Sequence, residues 1–305
     1  MFLIYLLLTT ANVGRGQTLD LLQDVCFERG FHVLSPQPGQ RVVVRTVIGD
    51  QAGLDPVWDI AQWNSRHDLS RSDPVTSADG VWSLHDQSKR VSRVRGDREP
   101  DSIILELDGT REFERPRQAG ESWPHLLVQQ AVTRCPPIAG LSSLRLVIEA
   151  CLVGKDNDDD GYDPALHCAQ CPLVLIVQNR KVGSPGYGDF FWFQVPLYDD
   201  RWEYPPAHVA MDTADPSAKL IYNPGLKAYT DSTLSTGGWV RIDVDLLPHL
   251  LKGLQVAGEK GYLPASQDPA DFEVTSFILG WEVTGRNRGA IRFRNLSLRA
   301  ARGGL

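Results

Sequence analysis

Only one stretch of this chain carries a helical stripe. Leu247, Leu250, Leu251 and Leu254 recur on one side, Asp245 stands where a cap would, Pro248 falls in the first turn, and Gly258 and Gly261 lie at the far end. Most of the remaining apolar residues come in short runs of strand length, and Leu144–Val153, Leu173–Gln178 and Trp239–Val244 among them alternate with period two. Such runs are Val42–Val44, a segment near Val81, Ser102–Asp108, Leu144–Val153, Leu173–Gln178, the aromatic run Gly188–Pro196, Trp239–Val244, Thr275–Val283 and Ala290–Leu298. Many strands, closely spaced turn residues and one late helix predict an all-β fold, a jelly-roll β-sandwich of two antiparallel sheets with one late α-helix. The helix, over Leu246–Ala257, is expected on the outside of a sheet. A length of 305 residues allows one large all-β domain or two small ones. No composition break or internal repeat divides it, so residues 17–305 are read as a single β-sandwich domain.

The start of the chain has a different character. Phe2 to Leu8 form an apolar run too short to span a bilayer, followed by small and polar residues to Gly16. Residues 1–16 read as a signal peptide, which predicts a secreted or periplasmic protein with no membrane association after its removal. The net charge of -7 argues against nucleic acid and anionic membranes as partners. The five cysteines, an odd number, leave at least one thiol unpaired in an exported protein. Cys168 and Cys171 have metal-like spacing, but no second such pair completes a zinc site. Buried thiols, with at most a disulfide among them, are expected.

The candidate chemistry lies in two acids at the ends of aromatic strands. Asp189 opens Asp189-Phe190-Phe191-Trp192-Phe193, and Glu282 follows Gly280-Trp281. Alternation puts Asp189, Phe191 and Phe193 on one face. Two carboxylates facing one cleft could cleave a glycosidic bond, one protonating the leaving oxygen while the other attacks or activates water. Taken singly, each could equally be a strand-end residue on a solvated rim. Trp63 and Trp123 are candidates to stack on sugar rings, with Asn64 hydrogen-bonding hydroxyls. Asp156, Asp158 and Asp160 open a stretch with the spacing of a calcium loop, although position twelve is His167 and not a bidentate Glu. That stretch is either a structural calcium site or a solvated acidic turn. No Gly-x-Ser-x-Gly, phosphate loop or dinucleotide fingerprint is present.

From about Gly120 onward the chain resembles, distantly, the family 12 glycoside hydrolases, secreted jelly-roll endoglucanases. The likeness rests on an ordered set: Ser122-Trp123-Pro124-His125, Leu141-Ser142-Ser143, Ile176-Val177-Gln178-Asn179, Gly188-Asp189-Phe190-Phe191-Trp192-Phe193, the helix after Asp245, and Gly280-Trp281-Glu282. It implies that Asp189 stands at the family's nucleophile, Glu282 at its acid/base and Asn179 at a supporting acid. It also implies a glycan cleft lined by Trp63, Asn64, Trp123, Asn179, Phe191 and Phe193. Asp in place of the family's Glu draws the carboxylate back by about 1.5 Å, which favours inversion, inactivity or a different reaction on the same scaffold. The partner would be a polysaccharide or oligosaccharide, bound by a monomer that requires no cofactor. A non-catalytic carbohydrate-binding sandwich and a structural sandwich with no ligand are the alternatives. Carboxyl groups more than about 10 Å apart would exclude hydrolysis by this pair.

Overall fold

Alternation sorts the strands into two layers. The computed structural model describes residues 18–51, 53–96, 99–157, 161–212, 219–234 and 238–303; the expected leader lies outside them. In chain order the strands begin with β1 (Thr18–Asp20), β2 (Gly30–Leu34), β3 (Val43–Ile48), β4 (Trp58–Ala61), β5 (Val75–Thr76) and β6 (Trp82–His85). They continue with β7 (Lys89–Val94), β8 (Ser102–Asp108), β9 (His125–Ala131), β10 (Leu141–Asn157), β11 (Ala169–Asn179) and β12 (Phe190–Asp199). The last are β13 (His208–Met211), β14 (Leu220–Asn223), β15 (Val240–Asp245), β16 (Phe272–Val283) and β17 (Asn287–Arg302). Two α-helices accompany them, the short α1 (Gly109–Glu112) and the late α2 (Leu247–Glu259).

The smaller sheet has eight strands in the order β15-β10-β17-β8-β7-β6-β5, with β1 also on β17. The larger has nine, in the order β13-β14-β12-β11-β16-β9-β4-β2-β3. Pairing is antiparallel apart from the short parallel contacts β2–β4 and β12–β14. The facing sides pack Leu173, Leu175, Phe191, Phe193, Phe277, Leu279 and Trp281 against Leu144, Leu146, Ile148, Leu105, Ile291 and Phe293. Each such side chain removed from water stabilises the fold by about 1.5–3 kcal/mol before entropy is counted. Trp281 reaches across the layers, where its Nε1 donates to Leu105 O at 2.8 Å. Its ring lies against Gly289, where a Cβ would fall 2.4 Å from Cη2. Only glycine fits there.

Helix α2 begins as the sequence suggests. Asp245 Oδ1 accepts from Leu247 N at 3.0 Å and from Leu144 N at 2.8 Å, which ties the first turn to β10. Its placement differs from expectation. The helix does not lie outside a sheet. Beyond the β15 edge it completes the smaller sheet's layer, burying Leu250 and Leu254, and Gly253 lies directly over Phe191 and Tyr222. The apolar inner face of β12 and β14 extends past β15 and has to be covered by something.

The first third of the chain is pinned by charge. The Lys89 ammonium, with no exposed side-chain surface, is 2.8 Å from Asp86 and 3.5 Å from Glu112. Glu112, on α1, also accepts from Ser65 Oγ and Arg66 N, each at 2.6 Å. All five cysteines are unpaired thiols, so there is no disulfide among them. The rims of the larger sheet are β3 and β13, and Val43, Val44 and Ile48 stand exposed on the first. Among the described residues no helix is long and apolar enough to cross a membrane.

Candidate functional site

Strand direction decides where the two acids stand. Both β12 and β16 pair antiparallel with β11, so they run the same way. Asp189 immediately precedes β12, whereas Glu282 is next to last in β16. Glu282 therefore faces Gln170 at one end of β11, while the Asp189 carbonyl accepts from Asn179 N at the other. Nine positions of extended chain separate Gln170 from Asn179, about 30 Å at 3.3 Å per residue. The expected shared cleft does not form, and the gap far exceeds that of either hydrolytic geometry. Each acid has its own surroundings. Asp189 is 2.9 Å from Lys219 Nζ, whose ammonium lies 5.5 Å from the Phe190 ring centre. Glu282 accepts from Gln170 Nε2 at 3.1 Å, with His125 Nε2 3.9 Å away.

The parity of β12 is also the reverse of that expected. Phe191 and Phe193 are fully buried between the sheets, so neither can line a ligand site. Phe190, Trp192 and Gln194 occupy the outer face instead, half exposed. Asn179 is likewise fully buried. Its Nδ2 donates to Ser184 Oγ at 2.9 Å, which fixes the turn between β11 and β12.

The outer face of the larger sheet is nonetheless a distinctive surface. Leu34, Ala61, Leu127, Val174 and Ile278 form a second apolar cluster, with Trp63, Ile176 and Trp192 packed against it. Four half-exposed amides, Gln129, Gln170, Gln178 and Gln194, stand around this cluster. In its central row the register aligns Gln194, Val174, Ile278, Gln129 and Asp59. Asp59 is already engaged: Arg41 grips both oxygens, at 2.7 and 2.8 Å. The centre therefore holds no free carboxylate.

At the Glu282 end the sequence-predicted aromatics do gather. Trp63 and Trp123 flank the His125 ring, with centroids 5.9 and 6.0 Å from it, and Trp63 O accepts from His125 N at 3.0 Å. Arg117 lies 5.5 Å from the Trp123 ring centre. Asn64 is exposed in a left-handed conformation, φ 57°, which asparagine tolerates better than most residues. It lines a 270 Å³ pocket with Pro36, Pro38, Arg66, Phe113 and Pro124. The glutamines belong to no sequence motif, and their alternation with core residues in β11 and β12 is the signal that marks them.

Metal chemistry finds less support in the expected places. Asp156 is exposed at the end of β10, while Asp158 and Asp160 lie outside the described residues. Among the described residues no three His, Cys, Asp or Glu side chains gather to hold an ion. Burial pushes the Cys168 thiol up to about 12, and Cys171, fully buried with Glu282 nearby, is also raised. Both remain thiols and poor ligands.

No protein-family profile matches the chain, and a search of curated proteins gives no match. Solved structures do resemble it. A cellulase derived from Cel12A of Rhodothermus marinus is 12% identical over 75% of this chain and 95% of its own, with a TM-score of 0.41. The xyloglucanase domain of NopAA from Sinorhizobium fredii, solved with cellobiose, is 11% identical over 77% and 100%, at 0.37. A family 11 xylanase from Neocallimastix patriciarum is 8% identical over 75% and 95%, at 0.37. The likeness is to the jelly-roll fold of glycoside hydrolase families 12 and 11, and fold alone does not carry function.

Proposed function

We propose that this protein binds a polysaccharide on the outer face of its larger sheet and does not cleave it with Asp189 and Glu282. The observation that carries this reading is the opposition of those acids at the two ends of β11, across a centre of amides and apolar groups. Half-exposed tryptophans offer flat apolar faces to the C–H sides of sugar rings, and glutamine amides offer paired donors and acceptors for hydroxyls. Neutral ligands suit such a surface better than anions do. The apolar run Phe2–Leu8 supports export, which would put the protein where polysaccharides are met.

A second reading has one observation in its favour. Asp199 stands in the same row as Gln170 and Glu282, two strands from Glu282 and so about 10 Å away between backbones. A hydrolase using Glu282 as acid and Asp199 as base would need Arg201, which grips Asp199 at 2.6 and 2.8 Å, to let go.

Electrophoresis through gels containing β-glucan, xyloglucan or xylan tests both readings, alongside an assay for new reducing ends. Retardation by at least one glycan is expected, with no reducing ends released. Trp192→Ala and Trp63→Ala should each weaken retention roughly thirtyfold, the loss of a ~2 kcal/mol aromatic anchor, and Asp189→Asn should change nothing. Reducing ends that disappear in Glu282→Gln would establish the hydrolase instead. Free migration through every glycan would end the binding proposal.

A further inference from the structure

Three strands end together at one point of the sandwich. Asn157 is the last residue of β10, Asn287 opens β17 directly opposite it, and Asp200 follows the last residue of β12. Asn287 Nδ2 is 2.6 Å from Asp200 Oδ2 and 3.1 Å from Asn157 Oδ1. The triangle closes awkwardly. Asn157 Oδ1 lies 3.1 Å from Asp200 Oδ2 and 3.0 Å from the Asp156 main-chain oxygen, so acceptor faces acceptor. Turning the Asn157 amide over removes those two conflicts and creates another, because its nitrogen then sits 3.1 Å from Asn287 Nδ2. One orientation leaves two like-on-like edges and the other leaves one.

The surroundings add unanswered oxygens. Asp200 Oδ1, Asn287 Oδ1 and the Tyr198 hydroxyl are buried without a hydrogen-bond partner, and Asn287 and Tyr198 are only 1% and 4% exposed. Buried polar atoms are seldom left so, and an unfilled ion position is one recognised cause.

We propose that this junction is a Ca²⁺ site, with the Asp200 carboxylate, the Asn157 side-chain carbonyl and the Asp156 main-chain carbonyl as three of its oxygen ligands. Oxygens held 2.3–2.6 Å from a Ca²⁺ in a shell of six to eight ligands are about 3 Å from one another. The spacings here are 3.0 and 3.1 Å. In this arrangement the oxygens of Asn157 and Asp200 both face the cation, and Asn287 Nδ2 donates to each from behind and holds their orientation. The acidic sequence that begins at Asp156 thus finds a carboxylate on β12, more than forty positions along the chain, that no spacing rule connects with it. Mg²⁺ should compete poorly, because it demands near-octahedral ligands at about 2.0–2.1 Å and gives up its waters reluctantly.

The assignment is independent of glycan binding and is tested without any glycan. Full-length protein is stripped with EDTA and titrated calorimetrically with CaCl₂ or MgCl₂, and separately with Tb³⁺, whose emission Tyr198 and Tyr162 beside the junction should sensitise. One saturable site per chain is expected, at least tenfold tighter for Ca²⁺ than for Mg²⁺, with Ca²⁺ displacing the Tb³⁺ signal. Asp200→Asn should weaken it at least tenfold while circular dichroism stays unchanged. Should that variant fail to fold, Asn157→Ser, which removes only one ligand oxygen, should give the same loss. Absence of both heat and Tb³⁺ emission in the unaltered protein would overturn the assignment in favour of a simple amide reorientation. Undiminished affinity in a folded Asp200→Asn or Asn157→Ser protein would overturn it too, by placing any bound ion elsewhere.

Discussion

At the scale of single residues, Lys89 shows how the first third of the chain is held. Its ammonium is shut away from water with Asp86 and Glu112, and Ser65 and Ser88 also contact it. A buried ion pair adds little over a well-packed apolar contact, but removing one partner leaves the others charged and uncompensated. Lys89→Met should therefore destabilise the fold by about 3–5 kcal/mol, read from the urea midpoint. Glu112→Gln should cost less, because an amide oxygen can still accept from Arg66 N. Nothing in the sequence marks this cluster, whose members are scattered from position 65 to 112. The parity of β12 was hidden for another reason. Phe190, Phe191, Trp192 and Phe193 put aromatics on both faces, so Gln194 alone marks which side faces away from the core. Trp63 and Trp123, each with polar neighbours in the sequence, come together on either side of the His125 ring.

Among the elements, α2 was the most legible and β16 the most misleading. A leucine stripe, a capping aspartate and an early proline specify a helix locally, and the structure extends it only to Glu259. Where the helix packs depends on the width of the larger sheet, which no local signal reveals. Gly253 is the point of closest approach: a Cβ there would fall 2.8 Å from Tyr222 Cδ1 and 2.9 Å from Phe191 Cε2. Gly253→Ala should then destabilise by about 1–3 kcal/mol through overpacking, despite alanine's better helix propensity, as thermal melts would show. On the same helix, burial lowers the pKa of His249, against the weaker pull of Asp245. The unfolded chain then binds a proton more readily than the fold does. Stability from this group is present above its ordinary pKa near 6.5 and is lost as pH falls through the folded value. Denaturation midpoints measured between pH 7.5 and 5 should fall less steeply in His249→Gln than in the unaltered chain. For the two acids, the order of motifs along the chain was readable but their height in the sheet was not. Two strands that share an antiparallel neighbour run the same way, so a residue before the start of one lies far from a residue near the end of the other.

For the molecule as a whole, one apolar cluster includes residues of both sheets and of α2. Such a body should unfold in a single step. Tryptophan fluorescence, which reports the interior through Trp281 and Trp58, should trace the same denaturant transition as far-UV circular dichroism. Two separated transitions would mean that the halves fold independently. The jelly-roll class was legible from counting strands against helices, because two layers are the common way to bury so many half-apolar ribbons. Among the described residues the sandwich is not closed on itself, however, and its rim at β3 has one unpaired side. Peptide groups there are free to recruit another extended segment, and Val43, Val44 and Ile48 would reward the contact. Arg41 precedes that stretch and Arg45 lies within it, each 2.7 Å from an aspartate. A foreign strand docking on this rim would have to draw those ions out of water. This rim is where self-association would begin, and loss of Arg41 would both open it and leave the buried Asp59 carboxylate without its partner.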